Sequence, residues 1–162
     1  MAETLDVASM IPARFEPKRK NRWVLMIEGI DAYILKTLGK PQITQDAVEM
    51  HWMNVQRYIA GKLKFGTTQF TLHDPIAPSG AQQVMEWIRL HTETVSGRSG
   101  YADMYKRDCS LKCIDPVGTV VERWDGKGLM ITEVNFGELT YEDATPTEIS
   151  ITAQADNWVL QY

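Results

Sequence analysis

The sequence predicts a mainly β protein: two packed antiparallel sheets forming a small barrel or sandwich, with one flanking α-helix. Three observations predict it. From Gly128 to Tyr162 the chain reads GLMITEVNFGELTYEDATPTEISITAQADNWVLQY: an apolar strand, a connection, an acidic turn with a proline, and a long alternating strand. Ile149, Ile151, Ala153 and Ala155 fall on one face of that last strand, and Glu148, Ser150, Thr152, Gln154 and Asp156 on the other. Alternation of that length belongs to a sheet with one dry and one wet face. Further strand-length segments are separated by short turn-forming runs, which implies antiparallel pairing. Only one segment carries a strong helical period, so a helix laid against β layers completes the architecture.

Residues 1–21 have little periodicity, two prolines (Pro12, Pro17) and a basic cluster at Lys18, Arg19, Lys20 and Arg22. Taken alone, they read as a solvated N-terminal arm. Trp23 to Ile30 is a near-continuous apolar run of strand length, and Tyr33 to Leu38 follows across a short connection as a candidate hairpin partner. Residues 43–60 read as an extended hairpin in which Val48, Met50 and Trp52 alternate with Glu49, His51 and Met53 and large apolar side chains gather near the tip. Gly61 and Gly66 then break the chain before the short strand Thr68 to His73, which Asp74-Pro75 ends.

The helix is expected over about 79–96. Ser79-Gly-Ala-Gln82 has the spacing of a capping box. Val84, Trp87, Ile88, His91 and Val95 recur on one stripe, and Ser96-Gly97 supplies a stop. A polar loop follows to Arg107. Cys109 to Ile114 then turns at Asp115-Pro-Val-Gly118. Thr119 to Trp124 is expected to turn at Asp125-Gly-Lys-Gly128 as a hairpin. Leu129 to Val134, or further, and Thr147 to Val159 complete the sheet.

A length of 162 residues fits a single domain, 1–162, with the arm at 1–21 and the β-barrel with helix at 22–162. At 44% hydrophobic and 23% charged residues the composition is that of an ordinary globular chain. A formal net charge of -4 gives no overall grip on nucleic acid by phosphate neutralisation. No apolar run approaches the roughly 20 residues that span a bilayer, and the N-terminus lacks a signal-peptide apolar region. A cytoplasmic setting with reduced thiols is the expectation.

Catalytic chemistry finds little support. Cys109 and Cys113 lie four apart on one strand, about 13 Å from each other, which is too far for an internal bridge. They read as ordinary buried or half-buried thiols, with a bond to another subunit's cysteine left open. His51, His73 and His91 sit in three different elements without ligand spacing. Ser96-Gly-Arg-Ser-Gly100 lacks the strand–turn–helix setting of a nucleophile elbow, and Gly126-Lys-Gly128 is too short for a phosphate cradle. Carboxylates are spread through turns at Asp115, Asp125, Glu142 and Asp143. No enzyme, cofactor or metal site is expected.

One feature exceeds the needs of a small barrel. Five Trp, six Tyr and eight Met residues are a large apolar endowment, and Met50, Trp52, Met53 and Tyr58 cluster on the hairpin that should project beyond the sheet. Exposed clusters of that kind mark protein–protein contact. The alternative is that the hairpin folds back on its own barrel; self-association is the reading adopted.

The order of segments resembles the tail tube protein of contractile-tailed bacteriophages, within a superfamily that includes the type VI secretion tube. The resemblance is carried by the arm with Phe15 and Pro17, the strand Asn21 to Glu28, Tyr58-Ile-Ala-Gly61, and Phe70-Thr-Leu-His-Asp74 before a helix with Met85-Glu-Trp87. Gly128-Leu129, Val134-Asn-Phe-Gly-Glu-Leu139 and the strand Ile149 to Trp158 complete it. The matches are short, and their order covers nearly the whole chain. The resemblance implies a structural virion protein whose six copies form a ring. Rings stack into the tail tube, the conduit for genome delivery, assembled in the host bacterial cytoplasm. It implies as partners the tail sheath, baseplate and tail terminator proteins. The tape measure protein, then DNA, would occupy the lumen without specific binding, and this chain would not insert into a membrane. Under it, Lys18, Arg19, Lys20, Met50, Trp52, Met53 and Tyr58 become candidates for inter-subunit or inter-ring contact. Glu148 and Asp156, on the polar face of the last strand, become lumen-facing candidates. A tube-initiating baseplate protein, a related injection-system tube and, from a different class, a soluble protein-binding module are the competing readings.

Overall fold

A computed structural model describes residues 10–12 and 15–162; much of the predicted arm therefore lies outside the described residues. The strands are β1 (Trp23–Ile27), β2 (Leu35–Leu38), β3 (Ile43–Trp52), β4 (Val55–Phe65) and β5 (Thr67–His73), followed by two helices, α1 (Gly80–His91) and α2 (Ala102–Tyr105). Strands β6 (Arg107–Ile114), β7 (Val120–Asn135), β8 (Glu148–Gln154) and β9 (Asn157–Leu160) close the chain. Seven strands form one antiparallel path, β1-β6-β7-β8-β5-β2 with β9 added alongside β7, while β3 and β4 pair as a separate ribbon.

Strand β7 makes two layers out of this path. Its first half lies opposite β6 and β9, with Trp124 across from both Leu111 and Leu160; its second half lies opposite β8, with Met130 across from Gln154. A strand that changes partners along its length turns the corner of a sandwich. The path ends at β1 and β2, so the result is an open sandwich with the predicted antiparallel pairing and flanking helix.

The dry face is where alternation places it. Ile149, Ile151, Ala153 and Ala155 are buried, together with Phe70 and Leu72, which lie opposite Ile151 and Ile149. Leu25, Ile27, Cys109 and Leu111 bring the dry face of the other layer, and Leu129, Ile131 and Trp158 join the two. Helix α1 packs by Val84 and Trp87. The Trp87 indole N–H donates to the Tyr105 carbonyl at 2.7 Å, tying α1 to α2. The Arg107 guanidinium lies 4.6 Å over the Trp87 ring and donates to the Glu28 carbonyl.

Several expectations are corrected. Trp23–Ile27 and Leu35–Leu38 are not a hairpin: β1 pairs β6 and β2 pairs β5, with a 3-10 turn at Ala32–Ile34 between them. Asp125 to Gly128 is not a hairpin turn but the bend inside β7. A Cβ on Gly126 would lie 2.5 Å from the Cys109 sulfur and 2.8 Å from the Trp158 ring, and Gly128, at φ +65, sits against the Asp156 side chain. These glycines serve close approach and bending, the second common use of glycine in a strand.

Helix α1 ends at His91 rather than near 96. Val95 is exposed, and Glu93 to Arg98 closes its own turn through Glu93 N–H to the Arg98 carbonyl. The capping box is not formed: Asp74, not Ser79, accepts from the Ala81 N–H, and Ser79 itself donates to Asp74. The last strand breaks at Ala155-Asp156, giving β8 and β9. The turn at Asp115 to Gly118 forms as expected, with the Asp115 carboxylate accepting from the N–H groups of Val117 and Thr119.

Candidate functional site

The β3–β4 ribbon pairs with itself and not with the sandwich strands. Register sets its faces: Val48 lies opposite Ile59, Met50 opposite Arg57 and Trp52 opposite Val55. Paired residues share a face, so Val48, Met50, Trp52, Val55 and Ile59 form one apolar stripe. Trp52 is 73% exposed and Met53, at the turn with φ 50, is 91% exposed. Tyr58 pairs with Glu49 and therefore faces the other way from Met50 and Trp52. Val48 shares the alternating face of Met50 and Trp52 that the sequence shows, whereas Val55 and Ile59 join the stripe only through the register, which a bulge near Asp46 shifts. The ribbon runs to Phe65, five residues beyond the expected end. Every residue of β3 is exposed. A two-stranded ribbon with an apolar face is marginal in water unless something covers it.

The basic arm meets the sandwich at Glu122. This carboxylate is buried on β7 and accepts from Lys18 at 2.5 Å, Lys40 at 2.7 Å and the Trp124 indole N–H at 2.5 Å. Hydrogen bonds from Lys18, then Lys40 and Trp124, hold its pKa down at about 2. Lys18 thus has a partner within its own chain. Arg19 lies 3.7 Å from Glu16, and Lys20 is exposed. Between the arm and the sandwich lies a cavity of about 470 Å³, with Trp23, Leu38, Leu111 and Ile114 among its apolar walls and Arg19, Lys20 and Arg22 on its rim.

The wet face of β2, β5 and β8 carries Thr37, Gln69, Thr71, Ser150 and Thr152 around a shallow groove, with Glu133 and Asn135 of β7 beside them. The Thr37 and Thr71 hydroxyls are hydrogen-bonded to each other. Glu148 stands at one end of β8, paired with Lys36. Asp156 does not continue that face: the break after Gln154 moves it to the corner beside Gly128, where it pairs with Lys106 at 2.6 Å.

Both cysteines are free and buried. Burial pushes the Cys109 thiol up to about 12. Among the described residues no group of three or more His, Cys, Asp or Glu side chains is placed to hold a metal ion, and no helix is long and apolar enough to cross a membrane.

No protein-family model matches the chain, and no curated protein matches it in sequence. Solved structures do match in fold. One is the sheath/tube terminator of an extracellular contractile injection system in its extended state, at 14% identity and a TM-score of 0.76, covering 93% of this chain and 100% of that one. A second is the sheath–tube complex of an extracellular contractile injection system, at 13% identity and a TM-score of 0.72, covering 98% and 99%. A third is the SPP1 tail tube, at 12% identity and a TM-score of 0.59, covering 89% and 78%. Over most of its length, this chain has the fold that recurs among the tube and terminator components of contractile injection systems and in a phage tail tube.

Proposed function

We propose that the chain is a self-assembling structural protein, the subunit of the inner tube of a contractile phage tail. Six copies form a ring, and rings stack into the conduit for genome delivery. The observation that carries this reading is the β3–β4 ribbon: an apolar stripe held clear of the sandwich by ten- and eleven-residue strands. The shared fold supports it, and so do the open ends of the strand path at β1 and β2, which a neighbouring copy can continue. In this reading 1–162 acts as one domain. Met50, Trp52, Met53 and Tyr58 contact the next subunit or ring, and Arg19 and Lys20 reinforce that contact, while Lys18, held by Glu122, keeps the arm in place.

The hydroxyl- and amide-rich face of β2, β5 and β8 lines the bore, with Glu148 at its edge; Asp156, at the corner, is the weaker of the two lumen candidates. A surface without excess cations lets the tape measure protein and then DNA pass without sticking. The outer surface meets the sheath, and the tube ends meet baseplate and terminator proteins. In this reading the protein belongs to the virion tail, after assembly in the host bacterial cytoplasm.

Negative-stain electron microscopy of the purified chain tests the reading, with stacked rings or tubes as the expected result. A sedimentation profile that stays monomeric at high concentration overturns it. Closed rings that never elongate assign the chain instead to a tube-initiating or tube-terminating position, the second reading that likeness to a terminator favours.

A further inference from the structure

The β7–β8 connection, residues 136–147, presents a chemistry that the rest of the molecule complements. Leu139 and Tyr141 stand almost fully in solvent, flanked by the exposed carboxylates of Glu138, Glu142 and Asp143. The cavity beneath the arm has the opposite character: apolar walls from Trp23, Leu38, Leu111 and Ile114, and a rim of Arg19, Lys20 and Arg22. Among the described residues Lys20 and Arg22 make no ion pair, while Glu122 anchors Lys18 and Lys40 and so holds the mouth of the cavity in shape.

Register places the two features at opposite ends of one sheet. Strand β5 runs from Thr67 to His73. Leu38 lies opposite Phe70, and the Gly39 N–H donates to the Gln69 carbonyl, so the cavity sits toward its start. Glu148 lies opposite His73, and the Asp74 N–H donates to the Thr147 carbonyl, so the acidic connection sits at its far end. Neither feature can fill the other within one copy. Two copies related head to tail can bring them together, and a head-to-tail contact whose rotation does not close repeats along an axis.

We infer that the 136–147 connection of one copy docks into the arm cavity of the next. Tyr141 and Leu139 meet the apolar walls, and Glu138, Glu142 and Asp143 meet Arg19, Lys20 and Arg22. This rests on the tube reading above and assigns it a stacking contact distinct from the ribbon. The ribbon leaves the sandwich at the cavity end, since the Gly66 N–H donates to the Gln42 carbonyl at its base. Each stacking interface therefore receives a ribbon and a cavity from one copy and an acidic connection from the other.

Charge reversal tests it. The full-length triple variants E138K/E142K/D143K and R19E/K20E/R22E, each checked for fold by circular dichroism, are examined by negative stain and sedimentation at about 0.15 M salt. Each alone is expected to lower tube yield at least ten-fold, and an equimolar mixture of the two to recover it. Tyr141→Ala is expected to reproduce the defect without any change of charge. Wild-type tubes together with unaffected variants overturn the inference and leave the tube reading standing, as does a mixture that fails to recover. If a chain starting at residue 15 loses assembly while the acidic-connection variants keep it, the cavity belongs to the N-terminal segment, and the inference falls. A wild-type chain that never leaves the monomer removes the tube reading first and the inference with it.

Discussion

Glu122 ties three separate parts of the chain together: its own strand, the arm through Lys18 and the β2–β3 connection through Lys40. Its pKa of about 2 lies below the ordinary glutamate value of 4.5. Above pH 4.5 the carboxylate is ionised in folded and unfolded chains alike, and its stabilisation is complete. As pH falls toward 2 the unfolded chain takes up the proton first, and the stabilisation is lost. Glu122→Gln should therefore cost about 2–3 kcal/mol at neutral pH and flatten the acid limb of a denaturation series between pH 4.5 and 2. An unchanged acid limb would contradict this. Cys109 makes a second residue-scale case. With its thiol pushed up to about 12 and its sulfur against Gly126, it should resist a maleimide at pH 8 until the protein is denatured. Prompt labelling of the native chain at Cys109 would show that β6 opens. The sequence left Cys109 as buried or half-buried, and the structure buries it. The role of Glu122 was not legible, because the alternation that buries it says nothing of which lysines arrive from 104 and 82 residues away.

Among the elements, β7 and the ribbon show where local pattern stops informing. The Asp125 to Gly128 run has the composition of a hairpin turn, yet the chain passes straight through it as a bent strand. The difference is decided by Cys109 and Trp158, which occupy the space a side chain on Gly126 would need. Gly126→Ala should accordingly destabilise by about 1–3 kcal/mol through overpacking, measured by urea denaturation; a neutral result would mean that the corner has slack. The ribbon predicts the opposite behaviour. Replacing residues 48–59 with an Asn-Gly turn joins Ala47 to Ala60, which already face each other. The sandwich should keep its circular dichroism and melting temperature, and if the chain builds a tube, stacking should be lost. Unfolding of this variant would show that the ribbon belongs to the core. That a hairpin exists here was readable from the alternation of Val48, Met50 and Trp52. Its true length and the addition of Val55 and Ile59 to the stripe were not, because the bulge near Asp46 and the register are set by pairing.

At the scale of the whole molecule, one strand path folds back on itself and leaves two ends, a projecting ribbon and a wet face almost free of cations. If that face lines a bore, Glu148→Lys combined with Glu133→Lys should slow DNA delivery by the assembled particle while leaving ring formation intact, since both side chains point away from the core. Unaltered delivery would show that the charge of this face is irrelevant to passage. By itself the sequence determined the class of fold, the dry face of Ile149, Ile151, Ala153 and Ala155, the existence of helix α1 and the excess of apolar side chains near residue 52. All of these follow from side-chain period and local composition, which are properties of neighbours along the chain. Tertiary structure alone decided that β1 joins β6 rather than β2, that β7 is one strand serving two layers, and that the acidic connection and the basic cavity lie at opposite ends. Partner choice among strands depends on long-range packing and on which segments can reach one another, and neither is written in the periodicity of any single segment.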